Sequence, residues 1–166
     1  MEIINKVAQS SLEVFDLEDL YPVGFRSGVD LSQWLLDGII LKEKDFRASL
    51  KEVDWSGYSG QFVAVFCSTD AIVPAWSKML VTTYLQPYAK AVFCCHFDEI
   101  DSYLYQNVLN KIDFSKYQDK PVIVKGCSKK PVPESAYILA TQYLMPFAKS
   151  IMYGEACSAV PLFKKS

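Results

Sequence analysis

The sequence holds a single histidine, His96, and only seven glycines in 166 residues. With one imidazole, Ser-His-Asp hydrolysis would have to centre on His96, and none of the usual nucleophile motifs accompanies it. The glycines nowhere fall at the spacing of a P-loop or a dinucleotide fingerprint, so nucleotide binding lacks its sequence signal. No stretch approaches the ~18 consecutive apolar residues of a membrane span. Glu2, Lys6, Glu13 and Asp16 break every apolar run near the start, leaving no signal-peptide core. Lys and Arg number 17 against 19 Asp and Glu, without clustering, which disfavours a nucleic-acid footprint. These absences predict a cytoplasmic chain with neither membrane nor nucleic acid as partner. In that reducing setting, its five cysteines are expected as thiols or metal ligands rather than as a disulfide framework.

Half the chain is apolar, and no linker or low-complexity stretch interrupts it, so residues 1–166 read as a single α/β domain. Its organising feature is an internal repeat. Residues 54–93 align without gaps on residues 113–152, an offset of 59, and share fourteen identities in forty positions. Among them are Asp54/Asp113, Tyr58/Tyr117, Val63/Val122, Pro74/Pro133, Leu85/Leu144 and Lys90/Lys149. A one-residue shift also brings Cys67-Ser68 onto Cys127-Ser128. The pattern is that of a duplication.

Residues 12–17 alternate as a half-buried strand, residues 21–24 read as a turn, and a second strand is expected within 25–31. A short helix capped by Asp30 or Ser32 and interrupted near Gly38 is expected next, then a helix over 43–53 with Phe46, Leu50 and Val53 on its inner face. In the first copy, QFVAVFC reads as a strand buried on both faces. Ser68-Thr69-Asp70 offers caps, Pro74 opens a helix burying Trp76, Leu80 and Tyr84, and AVFCC is the next strand. A connecting helix places Ile100, Leu104, Val108 and Ile112 on one face. In the second copy, PVIVKGC, SAYILATQYLM and SIMYG repeat the order, and Val160 to Phe163 can add an edge strand despite Pro161. The fold class is therefore α/β, a mainly parallel sheet with helices on both faces. It is built from a duplicated α-β-α-β unit, residues 43–93 and 102–152, with N-terminal strands extending the sheet by antiparallel pairing.

In one such sheet, the strand ends would gather Cys67, Cys94, Cys95, Cys127 and Cys157 along one edge, where open α/β folds bind ligands. Two functional readings follow: a zinc or iron–sulfur site using three or more of these cysteines, or a reactive thiol activated by a helix N-terminus. A packing role competes with both, because cysteine is a good small hydrophobe and no close CxxC spacing is present. His96 could share a face with Cys94 or lie in a loop. The loops after Cys67 and Cys127 could hold an anion, with Ser68, Ser128 and Lys125 as its contacts and Lys129 and Lys130 alongside. Asp70 and Glu134 read as helix-start carboxylates rather than as an acid–base pair. Tyr84, Tyr88, Tyr143 and Phe147 are expected in the core, and the surplus of aromatics would suit a homo-oligomer interface.

At KGCSKKPVPESAY and GEACSAVPLFKK, with CSTDAIVPAW upstream and LKEKDFR near the start, the chain resembles a bacterial family known as domain of unknown function 2480. The resemblance covers nearly the whole chain and implies no established activity. It implies that Cys67, Cys127 and Cys157 belong to the family pattern and that Cys94-Cys95-His96 does not. It also implies iron–sulfur assembly proteins as a partner class. Whether the chain is an enzyme is left open. The two expectations carried forward are an accessory thiol or metal-site protein and a non-catalytic module, binding a small molecule or a protein, with structural cysteines.

Overall fold

The computed structural model describes residues 11–126 and 129–166. In chain order its elements are β1 (Glu13–Asp16), β2 (Arg26–Asp30), α1 (Glu43–Glu52), β3 (Phe62–Phe66), α2 (Ala75–Leu85), β4 (Ala91–Phe93), α3 (Ile100–Leu109), β5 (Pro121–Lys125), α4 (Glu134–Leu144), β6 (Ser150–Tyr153) and β7 (Val160–Lys164). Helices and strands alternate, as the α/β class requires. The repeat is obeyed closely: β3 and α2 map onto β5 and α4 at the offset of 59 with identical boundaries.

The strands form two sheets among the described residues, ordered β2-β3-β4 and β1-β5-β6-β7, where sequence reasoning expects one. The physical reason is that each copy carries its own strand with a buried apolar centre, Phe62 to Val65 in one and Val122 to Val124 in the other. β3 and β5 each become a central strand, flanked by one N-terminal strand and one strand of their own copy. The chain divides accordingly into two compact units. One holds the described residues up to Pro22 together with Leu104–Ser166, and the other is Val23–Tyr103.

The N-terminal strands pair in parallel, correcting the antiparallel expectation: Phe15 lies opposite Val124, and Val29 opposite Val65. β2 reaches β3 through α1, and a crossover connection of this kind returns the chain to the same end of the sheet. Only β7, at the edge beyond β6, runs antiparallel among the described strands, and Pro161 is accommodated beside a register shift.

One local device recurs four times. Asp16, Asp30, Asp54 and Asp113 each accept a hydrogen bond from the backbone N–H two residues on, at 2.9 to 3.1 Å, and each opens a 3-10 turn. Carboxylates suit this place because they satisfy N–H groups that the turn leaves free. The residue after each is buried: Leu17, Leu31, Trp55 and Phe114. The duplication therefore extends to the N-terminal strands, since Asp16-Leu17 after β1 matches Asp30-Leu31 after β2. Asp30 does cap, but the expected helix shrinks to Leu31–Trp34, because Leu35 is extended and Asp37 and Gly38 take φ of 51° and 71° in a tight turn.

In the Val23–Tyr103 unit, α1 and α2 bury Phe46, Leu50, Val81 and Leu85 against Val29, Val63 and Val65. The innermost line of α2 is Ser77, Val81 and Leu85, one residue on from the expected Trp76, Leu80 and Tyr84, which pack at its rim. The small residue lets the helix approach the sheet while the larger rings flank it. The second copy does the same with Ala136, Ala140 and Leu144. In α3 the fully buried residues are Ile100, Leu104, Tyr105 and Leu109, with Val108 and Ile112 only partly covered. Trp55 donates its indole N–H to the Leu50 carbonyl at 2.8 Å, and Tyr105 donates to the Leu17 carbonyl at 2.8 Å. Of the aromatics expected inside, Tyr84, Tyr143 and Phe147 pack on their cores, whereas Tyr88 is exposed.

Candidate functional site

β3 and β4 are parallel neighbours, so their C-terminal ends lie side by side. Cys67 directly follows β3, and Cys94 and Cys95 directly follow β4. Together with Thr69, Lys78, His96 and Glu99 they line a pocket of about 290 Å³. The end of a parallel sheet is where the chain turns away and leaves room, which is why ligands collect there.

The loop that carries Cys67 is tied down by Asp30. Its carboxylate accepts the N–H of Ser68 at 3.0 Å and that of Ser32 at 2.9 Å, and the Ser68 and Ser32 hydroxyls meet at 3.1 Å. Burial pushes the Asp30 carboxyl up, but the hydrogen bonds from Ser68 and Ser32 outweigh it and hold it below the usual range. Ser68 thus serves the loop: its N–H is committed to an internal carboxylate and not offered to an anion. Cys67 Sγ lies 3.3 Å from Thr69 Oγ1. Ser68, Thr69 and Asp70 do not cap α2, which begins five residues later behind Pro74.

The three thiols of this unit have different surroundings. Cys94 is exposed and receives a hydrogen bond from the Lys78 ammonium at 3.6 Å. Cys67 is partly covered. Cys95 is buried, and its thiol is pushed up to about 11 by desolvation, with Glu99, Cys94 and Asp98 adding to the rise. His96 is exposed, its ring 5.7 Å from that of Phe66, and its backbone N–H is held by Glu99 at 2.8 Å. A thiol reacts as its thiolate, so treatment of the native protein with iodoacetamide at pH 8 should label Cys94 and leave Cys95 unmodified until denaturation. Peptide mass mapping reads this directly; rapid native labelling of Cys95 would contradict the burial.

The remaining predicted site residues fall in the other unit or outside the described residues. Cys157 is exposed in the segment between β6 and β7. Cys127 and Ser128 lie outside the described residues. The Lys125 ammonium is engaged by Asp16 at 3.6 Å and Glu155 at 3.9 Å. The neighbouring Lys129 N–H donates to Glu18 at 2.7 Å, and Glu134 begins α4 as expected. No group of three or more His, Cys, Asp or Glu capable of holding a metal ion occurs among the described residues.

Sequence reasoning passes over Lys78, although the repeat contains the signal for it. At the offset of 59, Lys78 and Cys94 correspond to Tyr137 and Tyr153, whose rings pack edge-on at 5.7 Å. The two copies thus place an ammonium–thiol pair and an aromatic pair at one and the same structural position.

No helix among the described residues is long and apolar enough to cross a membrane. No curated protein and no solved structure matches the chain. One family model does, over residues 1–165, and its description is protein of unknown function (DUF2480). With a match that spans the chain almost end to end, and with the duplicated α/β architecture beneath it, this protein belongs to the DUF2480 family.

Proposed function

We propose that the chain is an accessory protein that handles small thiol or disulfide compounds in the pocket at the ends of β3 and β4, with Cys94 as its reacting group. The observation that carries the reading is the Lys78 ammonium 3.6 Å from the exposed Cys94 sulfur. The ammonium lies where negative charge passes between sulfurs during thiol–disulfide exchange. The thiolate would attack a low-molecular-weight disulfide: its S–S bond breaks, a new one forms on Cys94, and the departing thiolate takes a proton from solvent. Cys67 lines the same pocket, and Asp30 fixes the loop that presents it. Exposed free thiols suit a reducing compartment such as the cytoplasm. The family match over residues 1–165 supports reading the whole chain as one working domain.

Cys95 favours the packing alternative for itself, since it is buried. The test is an exchange assay with oxidised glutathione, followed by intact mass and peptide mapping. A single adduct on Cys94, formed ~10-fold more slowly in Lys78→Met, supports the proposal. No adduct, or equal labelling of every exposed cysteine, overturns it. Metal analysis and an absorption spectrum of the same anaerobic preparation address the other chemistry. Zinc or an iron–sulfur chromophore lost in Cys127→Ser would move the function to Cys67, Cys127 and Cys157, with iron–sulfur assembly proteins as partners.

A further inference from the structure

The two copies end differently. In the second copy, the chain leaves β6, turns through Gly154 and returns as β7, which pairs antiparallel with β6 and closes that edge. In the first copy, the chain leaves β4 and goes on into α3, because it must still build the second copy. β4 therefore ends its sheet with no strand on its outer side among the described residues.

Beside each of these strands runs a groove against the preceding helix, and the two grooves correspond. In the second copy it is lined by Val132, Ile138, Thr141 and Tyr153, has a volume of about 510 Å³, and is bordered by Leu162 of β7. In the first copy it is lined by Val73, Met79, Thr82 and Cys94, with about 430 Å³. Each residue in the one set lies 59 positions from its counterpart in the other. The first groove has no counterpart of Leu162 in its lining. Met79 in this groove is 67 % exposed, much as its counterpart Ile138 is in the other, and Ile72, just ahead of Val73, is 98 % exposed. An open strand edge beside an apolar groove is the arrangement by which sheets take up extended peptides, the backbone supplying affinity and alternate side chains the selectivity.

We propose that the outer edge of β4 is a peptide-docking site that takes an extended, alternately apolar segment of a partner protein. The segment runs antiparallel to β4 and lays an apolar side chain along the groove that Val73 and Met79 line, as Leu162 of β7 borders the groove of the second copy. The chain's own tail thus displays the kind of ligand its first copy accepts. This inference rests on the repeat and is independent of the thiol chemistry, although the groove borders Cys94 and Lys78.

The probe is a synthetic peptide with the sequence of residues 158–166, SAVPLFKKS, titrated against the full chain and followed by hydrogen exchange. Saturable binding with new protection of the backbone at residues 91–93 supports the proposal. Met79→Glu alters an exposed residue and should weaken binding at least ~10-fold, while Ile138→Glu in the other groove should not. The titration is run under reducing conditions, in which no mixed disulfide forms, and this separates the site from the thiol reading. No binding at millimolar peptide overturns the proposal, as does protection confined to β6 from displacement of the resident β7. Protection of 91–93 that instead follows protein concentration without peptide assigns the edge to a second copy of the chain and overturns the peptide reading.

Discussion

Cutting Leu144 back to alanine is expected to lower stability by ~3 kcal/mol, with the same loss for Leu85→Ala. Each leucine is wholly buried at the last turn of its helix, one in the cluster around Val122, Val124 and Ile151, the other in that around Val63 and Val65. Removing three carbons from such a site forfeits their transfer energy and leaves a cavity that the neighbouring strand cannot fill. Urea denaturation followed by tryptophan fluorescence checks it. The fluorescence is suited to Leu85→Ala in particular, because Trp55 stacks on Tyr84 beside the deleted side chain, with ring centroids 5.5 Å apart. A loss below ~1 kcal/mol in either variant would mean that the helix collapses onto the sheet more freely than these closely packed lines allow.

Asp30→Ala should cost ~1–2 kcal/mol, the range for a cap that satisfies backbone N–H groups. This carboxylate joins the turn after β2 to the loop after β3, so its removal frees two donors at once. The pH dependence has a definite sign. The folded-state pKa is depressed, so the contribution is fully present above the ordinary carboxylate value of ~3.9 and is lost as pH falls through the folded value. The stability difference between wild type and Asp30→Ala is therefore expected to be full at pH 7 and to shrink in strong acid. Thermal melts of both proteins across that range would show it, and a difference that grew on acidification would contradict the assignment. A second readout is the iodoacetamide rate of Cys67, which should rise when its loop is released.

Much of this fold was legible because periodicity and repetition report on local physics. The apolar runs QFVAVFC and PVIVKGC are typical of buried strands, and the offset of 59 carried the boundaries of β3 and α2 onto β5 and α4. The assignment of strands to sheets was not legible in the same way. Nothing in Val14-Phe15 or Val29 says which central strand each will join, and the choice depends on crossover connections rather than on residue type. The site was half visible for a related reason. The spacing of Cys67 and Cys94 at strand ends was plain, but Lys78 lies on a helix whose rotation differs by one residue from the expected one, and only the folded chain brings it to Cys94.

The crossed pairing of the two N-terminal strands also sets an order of events. The strands come first in the chain as β1 then β2, yet β2 joins the nearer copy and β1 the farther one. Val23–Tyr103 is continuous, so every strand of its sheet has been made once residue 103 leaves the ribosome. β1 has no such partner at that moment: Phe15 pairs opposite Val124, and the loop it must close is more than twice that between Val29 and Val65. Loop-closure entropy grows only slowly with length, so the delay is imposed chiefly by synthesis. β1, the earliest of the described strands, waits with its apolar face unsatisfied while the unit encoded after it folds, and it is completed only when the second copy arrives.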